Sequence, residues 1–208
     1  AMLEDLARGN LQDYYVGGPY AVSRLKGRIR KFPVRPDLRN LSTPRRDLFP
    51  PGRYRSKGVL LSRGCPYGCA FCINSVVPEN RHWQSWSAER IIKEVKSLVG
   101  KGVKDIIFWD DAFFVNKKRA EDFVDLLERE KINIRWFGNI RADQLKENYI
   151  NLEFLKRLEQ NGLTWISIGA ESGSQKMLDL MNKGIKVEDL IHAAEVIGKT
   201  RVICTFSF

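Results

Sequence analysis

The chain has 208 residues, 43% of them hydrophobic, and its 35 Lys and Arg outnumber 25 Asp and Glu to give a net charge of +10. This length allows one substantial hydrophobic core, and the composition is that of an ordinary globular protein. No apolar run approaches the roughly 18–20 residues of a membrane helix, so we expect a cytoplasmic protein without a membrane partner.

Residues 1–57 are predicted to be a Pro/Arg-rich connector. They contain six of the eight prolines, which disfavour long regular elements, and only Met2–Arg8 is predicted to be helical. They also hold 13 Lys and Arg against 5 Asp and Glu, whereas the rest of the chain holds 22 against 20. Such a basic segment can attract nucleic acid. Because no aromatic–basic stacking pattern accompanies the charge, we favour a solvated linker or a surface that meets an acidic neighbouring domain.

From Gly58 onward, short apolar runs alternate with amphipathic segments. The predicted strands are GVLLSRG, VKDIIFWDD, INIRWFGNIRAD, LTWISIGAES and TRVICTFSF. The predicted helices are SAERIIKEVKSLVGKG, KKRAEDFVDLLEREK, NLEFLKRLEQNG, SQKMLDLMNKG and VEDLIHAAEVIGK. Repeated strand–helix units predict a parallel sheet, and these units are too few for a closed eight-stranded barrel. We therefore predict an α/β fold in which residues 58–208 form a partial (βα)n barrel. We expect this barrel to be truncated after about five strands, because an apolar strand is a poor terminus that would leave a hydrophobic, unpaired sheet edge.

Three of the four cysteines, Cys65, Cys69 and Cys72, lie on the loop SRGCPYGCAFC after the first predicted strand. Clustered cysteines in an intracellular protein indicate a metal site more often than disulfides. Soft thiolate ligands select zinc or an iron–sulfur cluster. A structural zinc ion needs a fourth protein ligand, here His82 or Cys204. A 4Fe–4S cluster on three cysteines instead leaves one iron open to a small molecule.

The CxxxCxxC spacing of CPYGCAFC, followed by the strand–helix alternation, resembles the radical S-adenosylmethionine (SAM) enzymes. The resemblance implies that Cys65, Cys69 and Cys72 hold a 4Fe–4S cluster whose open iron is chelated by the amino and carboxylate groups of SAM. One electron, from a donor such as flavodoxin or ferredoxin, would cleave the sulfonium and release a 5′-deoxyadenosyl radical that takes a hydrogen atom from the substrate. Phe71 matches the aromatic residue that lies by the adenine in this family.

The resemblance extends to the ends of the second and third predicted strands. WDDAF occupies the place where the family binds the SAM amino group, which implies Asp110 or Asp111 in that role, with a helix-capping pair as the alternative. Arg141 in NIRAD ends the third strand, where a family arginine pairs with the SAM carboxylate. A surface salt bridge is the alternative for Arg141.

The stretch IGAESGSQKMLDLMNKG closely resembles the segment that follows the fourth strand in cobalamin-dependent radical SAM enzymes and in methylthiotransferases. It implies that Glu171 and Ser172 face the ribose or the amino-acid portion of SAM. The alternative is that Glu171 is structural and that Ser174 caps the next helix.

The resemblance therefore implies the core of a radical SAM enzyme acting on a small-molecule substrate, with no residue assigned a catalytic role. In the cobalamin-dependent subgroup a cobalamin-binding domain precedes a connector such as residues 1–57, and the reaction is methyl transfer or ring rearrangement. One alternative is a methylthiotransferase acting on tRNA or a ribosomal protein, although that family needs three further cysteines that are absent before Cys65. The other is a non-catalytic zinc module that binds nucleic acid, with His82 as the fourth ligand.

Overall fold

A computed structural model describes residues 37–38, 41–44, 46, 56–77 and 81–208, together with the backbone of residues 15–16, 21–25 and 28–32. The chain divides into two compact units, residues 1–41 and 42–208. None of the helices in the described part of the chain has both the length and the apolar character needed to span a bilayer.

The first unit contains a small antiparallel sheet where the sequence predicted only a connector. Its three strands are β1 (Tyr15–Val16), β2 (Ala21–Leu25) and β3 (Arg28–Phe32), in that order. Prolines 19, 33 and 36 lie between or after these strands and do not interrupt them. The boundary between units at residues 41 and 42 also differs from the predicted boundary at residues 57 and 58. The predicted helix at Met2–Arg8 lies outside the described residues.

The described part of the second unit alternates strands and helices. Its strands are β4 (Ser56–Val59), β5 (Ser62–Arg63), β6 (Gln84–Ser85), β7 (Asp105–Phe108), β8 (Arg135–Asn139), β9 (Leu163–Gly169) and β10 (Ile203–Ser207). Its α-helices are α1 (Ile73–Val76), α2 (Ala88–Val99), α3 (Lys117–Arg129), α4 (Leu152–Gln160), α5 (Gln175–Leu180) and α6 (Val187–Ile197). Short 3₁₀ turns are found at Phe113–Val115 and Ala142–Gln144.

Five strands of this unit form one parallel sheet in the order β10-β9-β8-β7-β4. Helix α2 lies between β4 and β7 in the sequence, α3 between β7 and β8, and α4 between β8 and β9. This arrangement confirms the predicted α/β fold of the partial-barrel type. The first predicted strand is divided, because β4 joins the parallel sheet while β5 pairs antiparallel with β6.

The helices begin where the sequence places capping side chains. Ser87 accepts a hydrogen bond from the Arg90 amide at the start of α2, and Asn116 and Asn151 cap α3 and α4 in the same way. The apolar face of α2 is buried, and its members include Ile91, Val95 and Leu98.

An aromatic cluster fills the core between the sheet and α3. The Phe108 ring on β7 lies 5.3 Å from Phe113, 5.7 Å from Phe123 and 5.5 Å from Trp136 between ring centroids. All four side chains are fully buried. Such packing makes the ends of β7 and β8 a rigid support for the loops that follow them.

Replacing Gly162 with alanine is expected to destabilise the junction between α4 and β9. Gly162 has φ +89°, and an added Cβ would lie 1.8 Å from the carbonyl oxygen of Ile134. The left-handed backbone and the steric overlap together should lower the free energy of unfolding by about 2–5 kcal/mol, measured by urea denaturation. Gly102→Ala is the matched control, because Gly102 has φ +79° and nothing within 4 Å of the added Cβ. Equal losses in the two variants would contradict the steric argument.

Candidate cluster and cofactor site

The predicted site residues follow four strands that are neighbours in the parallel sheet. Because the carboxyl ends of parallel strands meet at one edge, the sheet brings these segments to the same side of the protein. The segments are the cysteine loop (residues 62–72) after β4, Asp110 and Asp111 after β7, Arg141 after β8, and Glu171 and Ser172 after β9.

The three cysteines of the cysteine loop are free thiols with different exposure. Cys69 is buried, whereas Cys65 and Cys72 are half-buried. Burial raises the pKa of the Cys65 thiol above its ordinary value; the neighbouring Cys69 and Cys72 raise it further, while a backbone hydrogen bond at Tyr67 and the charge of Arg141 lower it. The Ser75 hydroxyl at the start of α1 lies 2.6 Å from the carbonyl oxygen of Cys69 and 2.7 Å from that of Cys72, so its single proton is shared between them and ties the backbone at these two cysteines together.

Three cysteine thiols on one loop are the kind of donor set that an iron–sulfur cluster takes. Among the described residues, no group of three or more His, Cys, Asp or Glu side chains is close enough to hold one metal ion. That set includes His82, which is exposed, so the side chains are not arranged as a Cys₃His zinc site. In a cubane each cysteine binds a separate iron, and the thiolates therefore need not converge on one point.

Asp110 holds the beginning of the cysteine loop. Its Oδ1 accepts hydrogen bonds from the amides of Leu61 at 2.7 Å and Ser62 at 3.1 Å. The side chain is completely buried, and burial raises the pKa of Asp110 against the opposing effects of Arg119 and the two amides. The carboxylate thus accepts hydrogen bonds from two backbone amides, those of Leu61 and Ser62, at the point where the chain has left β4 and the parallel sheet.

Arg119 on α3 is the charged partner of Asp110. Its Nη2 lies 3.6 Å from Asp110 Oδ2 and donates to the carbonyl oxygen of Phe113 at 2.5 Å. The guanidinium lies over the rings of Trp83, at 5.0 Å, and Phe113, at 4.6 Å. Because Arg119 is only 5% exposed, this pair is a buried ion pair with aromatic walls.

Asp111 differs sharply from its neighbour. It is exposed, and its Oδ2 accepts a hydrogen bond from the Gly64 amide at 3.2 Å, next to the first cysteine. The sequence left open which aspartate faces SAM. The two carboxylates differ in accessibility, because that of Asp110 is completely buried and that of Asp111 is exposed at the same strand end.

Arg141 lies beside the cysteine loop. Its guanidinium stacks on Tyr67 at 3.7 Å from the ring centroid, and its Nη1 lies 3.9 Å from Cys69 Sγ. Other donors of this side chain bind the Asp143 carboxylate and the carbonyl oxygen of Lys183, the latter at 2.9 Å. Arg141 is therefore mostly buried and held in place, unlike the side chain of a surface salt bridge.

Glu171 adopts a left-handed backbone, with φ +63°, and its carboxylate pairs with Lys183 Nζ at 3.0 Å. The absence of a side chain at Gly169 makes room for it, since a Cβ there would lie 2.5 Å from Glu171 Oε1. Lys183 Nζ also lies 5.6 Å from the ring centroid of Phe71, which is 54% exposed. Lys183 thus contacts both Phe71, which the resemblance assigns to the adenine, and Glu171, which it assigns to the ribose or the amino-acid portion of SAM.

Ser172 makes a local hydrogen bond within this segment. Its hydroxyl accepts from the Ser174 amide at 3.1 Å. Ser174 is the N-cap residue of α5 but makes no capping hydrogen bond with its side chain. Ser174 is thus the N-cap residue by position, while the side-chain hydrogen bond at this turn is accepted by Ser172, two positions earlier.

Sequence reasoning missed several residues that contact the cysteine loop. Gln144 donates to the Tyr67 hydroxyl at 3.2 Å, and Asn182 donates to the Gly68 carbonyl oxygen at 2.7 Å. Lys183 is the third of them, because its Nζ lies over the ring of Phe71. Asn182 and Lys183 belong to the stretch IGAESGSQKMLDLMNKG and Gln144 directly follows NIRAD, but the spacing along the chain gives no sign that these segments touch the loop.

Replacing Asp110 with asparagine is expected to destabilise the protein strongly. The asparagine keeps the shape of the side chain and an acceptor oxygen but leaves Arg119 as a buried charge without a counter-charge. The free energy of unfolding should fall by about 3–5 kcal/mol, measured by chemical denaturation. Asp111→Asn is the matched control and should change that free energy by less than about 0.5 kcal/mol because Asp111 is exposed. An unchanged value for Asp110→Asn would contradict the role of the ion pair.

Comparison with known proteins finds one matching family and several curated relatives. The profile of the Radical SAM superfamily matches residues 59–207. An uncharacterized methyltransferase of Pyrococcus horikoshii is 34% identical over 83% of this chain and 38% of its own length. A putative methylthiotransferase of Methanocaldococcus jannaschii is 28% identical over 70% of this chain and 33% of its own length. This chain thus spans about a third of the length of these curated relatives.

A solved structure gives the same result for the fold. The cobalamin-dependent S-adenosylmethionine radical enzyme OxsB, with aqua-cobalamin and SAM bound, superposes with a TM-score of 0.60 at 25% identity. The match covers 72% of this chain and 23% of the OxsB chain. The residues that match the family profile include the three-cysteine loop and the other strand ends described above. This chain therefore belongs to the radical SAM superfamily.

Proposed function

We propose that this chain is the catalytic core of a cobalamin-dependent radical SAM enzyme, in which Cys65, Cys69 and Cys72 hold the 4Fe–4S cluster. Membership of the superfamily implies that cluster and SAM as cofactors. When bound, the reduced cluster supplies the electron that cleaves SAM to a 5′-deoxyadenosyl radical. The observation that carries the proposal is the loop of three thiols at the carboxyl edge of the parallel sheet, next to exposed Asp111 and Phe71.

The surrounding side chains suit the parts of SAM. Asp111 offers an exposed carboxylate to the amino group, and Phe71 offers an exposed ring to the adenine. Glu171 and Ser172 are proposed to face the ribose or the amino-acid portion. Arg141, fixed beside Cys69, adds positive charge where the SAM carboxylate would approach the open iron. These roles would place the sulfonium beside the cysteine loop.

The proposed reaction is methyl transfer to an unactivated carbon or a ring rearrangement of a small molecule. The similarity to the Pyrococcus methyltransferase and to cobalamin-dependent OxsB supports this subgroup. Cobalamin would bind to a domain outside the matched core, and the electron donor would be a flavodoxin or a ferredoxin. Methylthiotransfer is the second candidate because of the Methanocaldococcus relative, and it requires a second cluster in the whole protein.

Single cysteine variants test the cluster assignment. After anaerobic reconstitution, the unchanged chain should contain about four iron and four sulfide per chain. Cys65→Ala, Cys69→Ala and Cys72→Ala should each lose most of that iron and sulfide, because a cluster with two protein ligands is poorly held. Cys204→Ala is the matched control on β10 and should retain the full content. Stoichiometric zinc without sulfide would overturn the proposal in favour of the zinc module.

Asp111→Asn tests the SAM site. Loss of one charge-assisted hydrogen bond should weaken SAM binding about ten-fold, measured by equilibrium dialysis with the reconstituted protein. Iron and sulfide content should not change, since Asp111 is not a cluster ligand in this proposal. A dissociation constant equal to that of the unchanged chain would exclude Asp111 from the SAM site.

A further inference from the structure

We propose that Asn182 is a positioning residue for the cysteine loop, acting through the backbone on both sides of Cys69. Its importance for the cluster rests on the proposed function. The contact between the two segments does not, because its hydrogen bonds involve only atoms of this chain.

Two hydrogen bonds in opposite directions join Met181 and Asn182 to the cysteine loop. Asn182 Nδ2 donates to the Gly68 carbonyl oxygen at 2.7 Å, immediately before Cys69. The Ala70 amide, immediately after Cys69, donates to the Met181 carbonyl oxygen at 2.7 Å. The backbone on each side of the most buried thiol is therefore fixed by a segment more than 100 residues away in the sequence.

The backbone at Asn182 explains how the chain presents both groups at once. Asn182 has φ +48°, a left-handed conformation that asparagine tolerates better than most residues. The turn is closed by hydrogen bonds from the Asn182 amide to Asp179 and from the Lys183 amide to Leu178, both at 3.0 Å. Leu178 on α5 is fully buried and anchors this turn in the core. The turn thus directs the backbone carbonyl of Met181 and the side-chain amide of Asn182 toward the cysteine loop.

Two further observations indicate a close fit between these segments. A Cβ added at Gly68 would lie 3.2 Å from Asn182 Nδ2, so glycine allows this approach. On the other side, Arg141 donates to the Lys183 carbonyl oxygen at 2.9 Å while its Nη1 lies 3.9 Å from Cys69 Sγ. The same turn therefore positions Cys69 through the loop backbone and positions the guanidinium beside its sulfur.

Asn182→Gly separates the side chain from the backbone conformation. Glycine adopts φ +48° without strain, so the melting temperature should stay close to that of the unchanged chain. The loss of the Gly68 hydrogen bond should accelerate hydrogen exchange of the Ala70 amide by about ten-fold in the apo protein, measured by NMR. After reconstitution, the variant should retain its cluster about ten-fold more weakly against a chelator, and the electron paramagnetic resonance signal of the reduced cluster should broaden.

Lys131→Gly is the matched control, because Lys131 also has a left-handed backbone, with φ +54°, but follows α3 and makes no described contact with the cysteine loop. It should leave the Ala70 exchange rate, the chelator resistance and the resonance signal unchanged. If Asn182→Gly matches the unchanged chain in Ala70 exchange and in the signal, the positioning role is overturned. If the unchanged chain holds no iron and sulfide, the proposed function fails, and Ala70 exchange in the apo protein still decides whether Asn182 positions the loop.

Discussion

The site depends on how the chain is held after it leaves β4 at the edge of the parallel sheet. There the amides of Leu61 and Ser62 need acceptors, and the buried Asp110 carboxylate provides one oxygen to both. A buried carboxylate is tolerated only because Arg119 lies beside it, enclosed by aromatic rings. The aromatic core between β7 and α3 thus determines where the cysteine loop starts, and every later contact of that loop is built on this starting point.

Much of the second unit was predictable from the sequence because its local signals agree with one another. Apolar runs of strand length alternate with amphipathic helices, and Ser87 caps α2. The division of the first predicted strand was not predictable, since no turn residue in GVLLSRG separates Val59 from Ser62. Its second half pairs with β6, which carries no strand signal of its own. The small sheet formed by β1, β2 and β3 is not evident from the sequence, because the many prolines of residues 1–57 disfavour regular elements. The prolines nearest to these strands lie between or after them and leave the strands intact.

The sequence predicted which segments belong to the site but not which of their side chains are buried and what each one contacts. Asp110 continues the buried face of β7 after Ile106 and Phe108, where Arg119 on α3 supplies its counter-charge, whereas Asp111 is exposed. Similarly, the resemblance of MNKG to a family stretch indicated that the stretch matters without showing what it touches. Contacts between residues far apart in the chain follow from the packing of the sheet, which periodicity and spacing do not specify.

The contact between Met181–Asn182 and the cysteine loop has a consequence for how this core can diversify. Met181 and Asn182 form hydrogen bonds with Gly68 and Ala70 on the two sides of Cys69. The sequences of these two segments therefore work only in combination. A chimera that takes residues 62–72 from one relative and residues 169–184 from another would combine surfaces that were never fitted to each other. Recombination between such enzymes is therefore expected to preserve this pair as a unit, while the outer strands and helices exchange more freely.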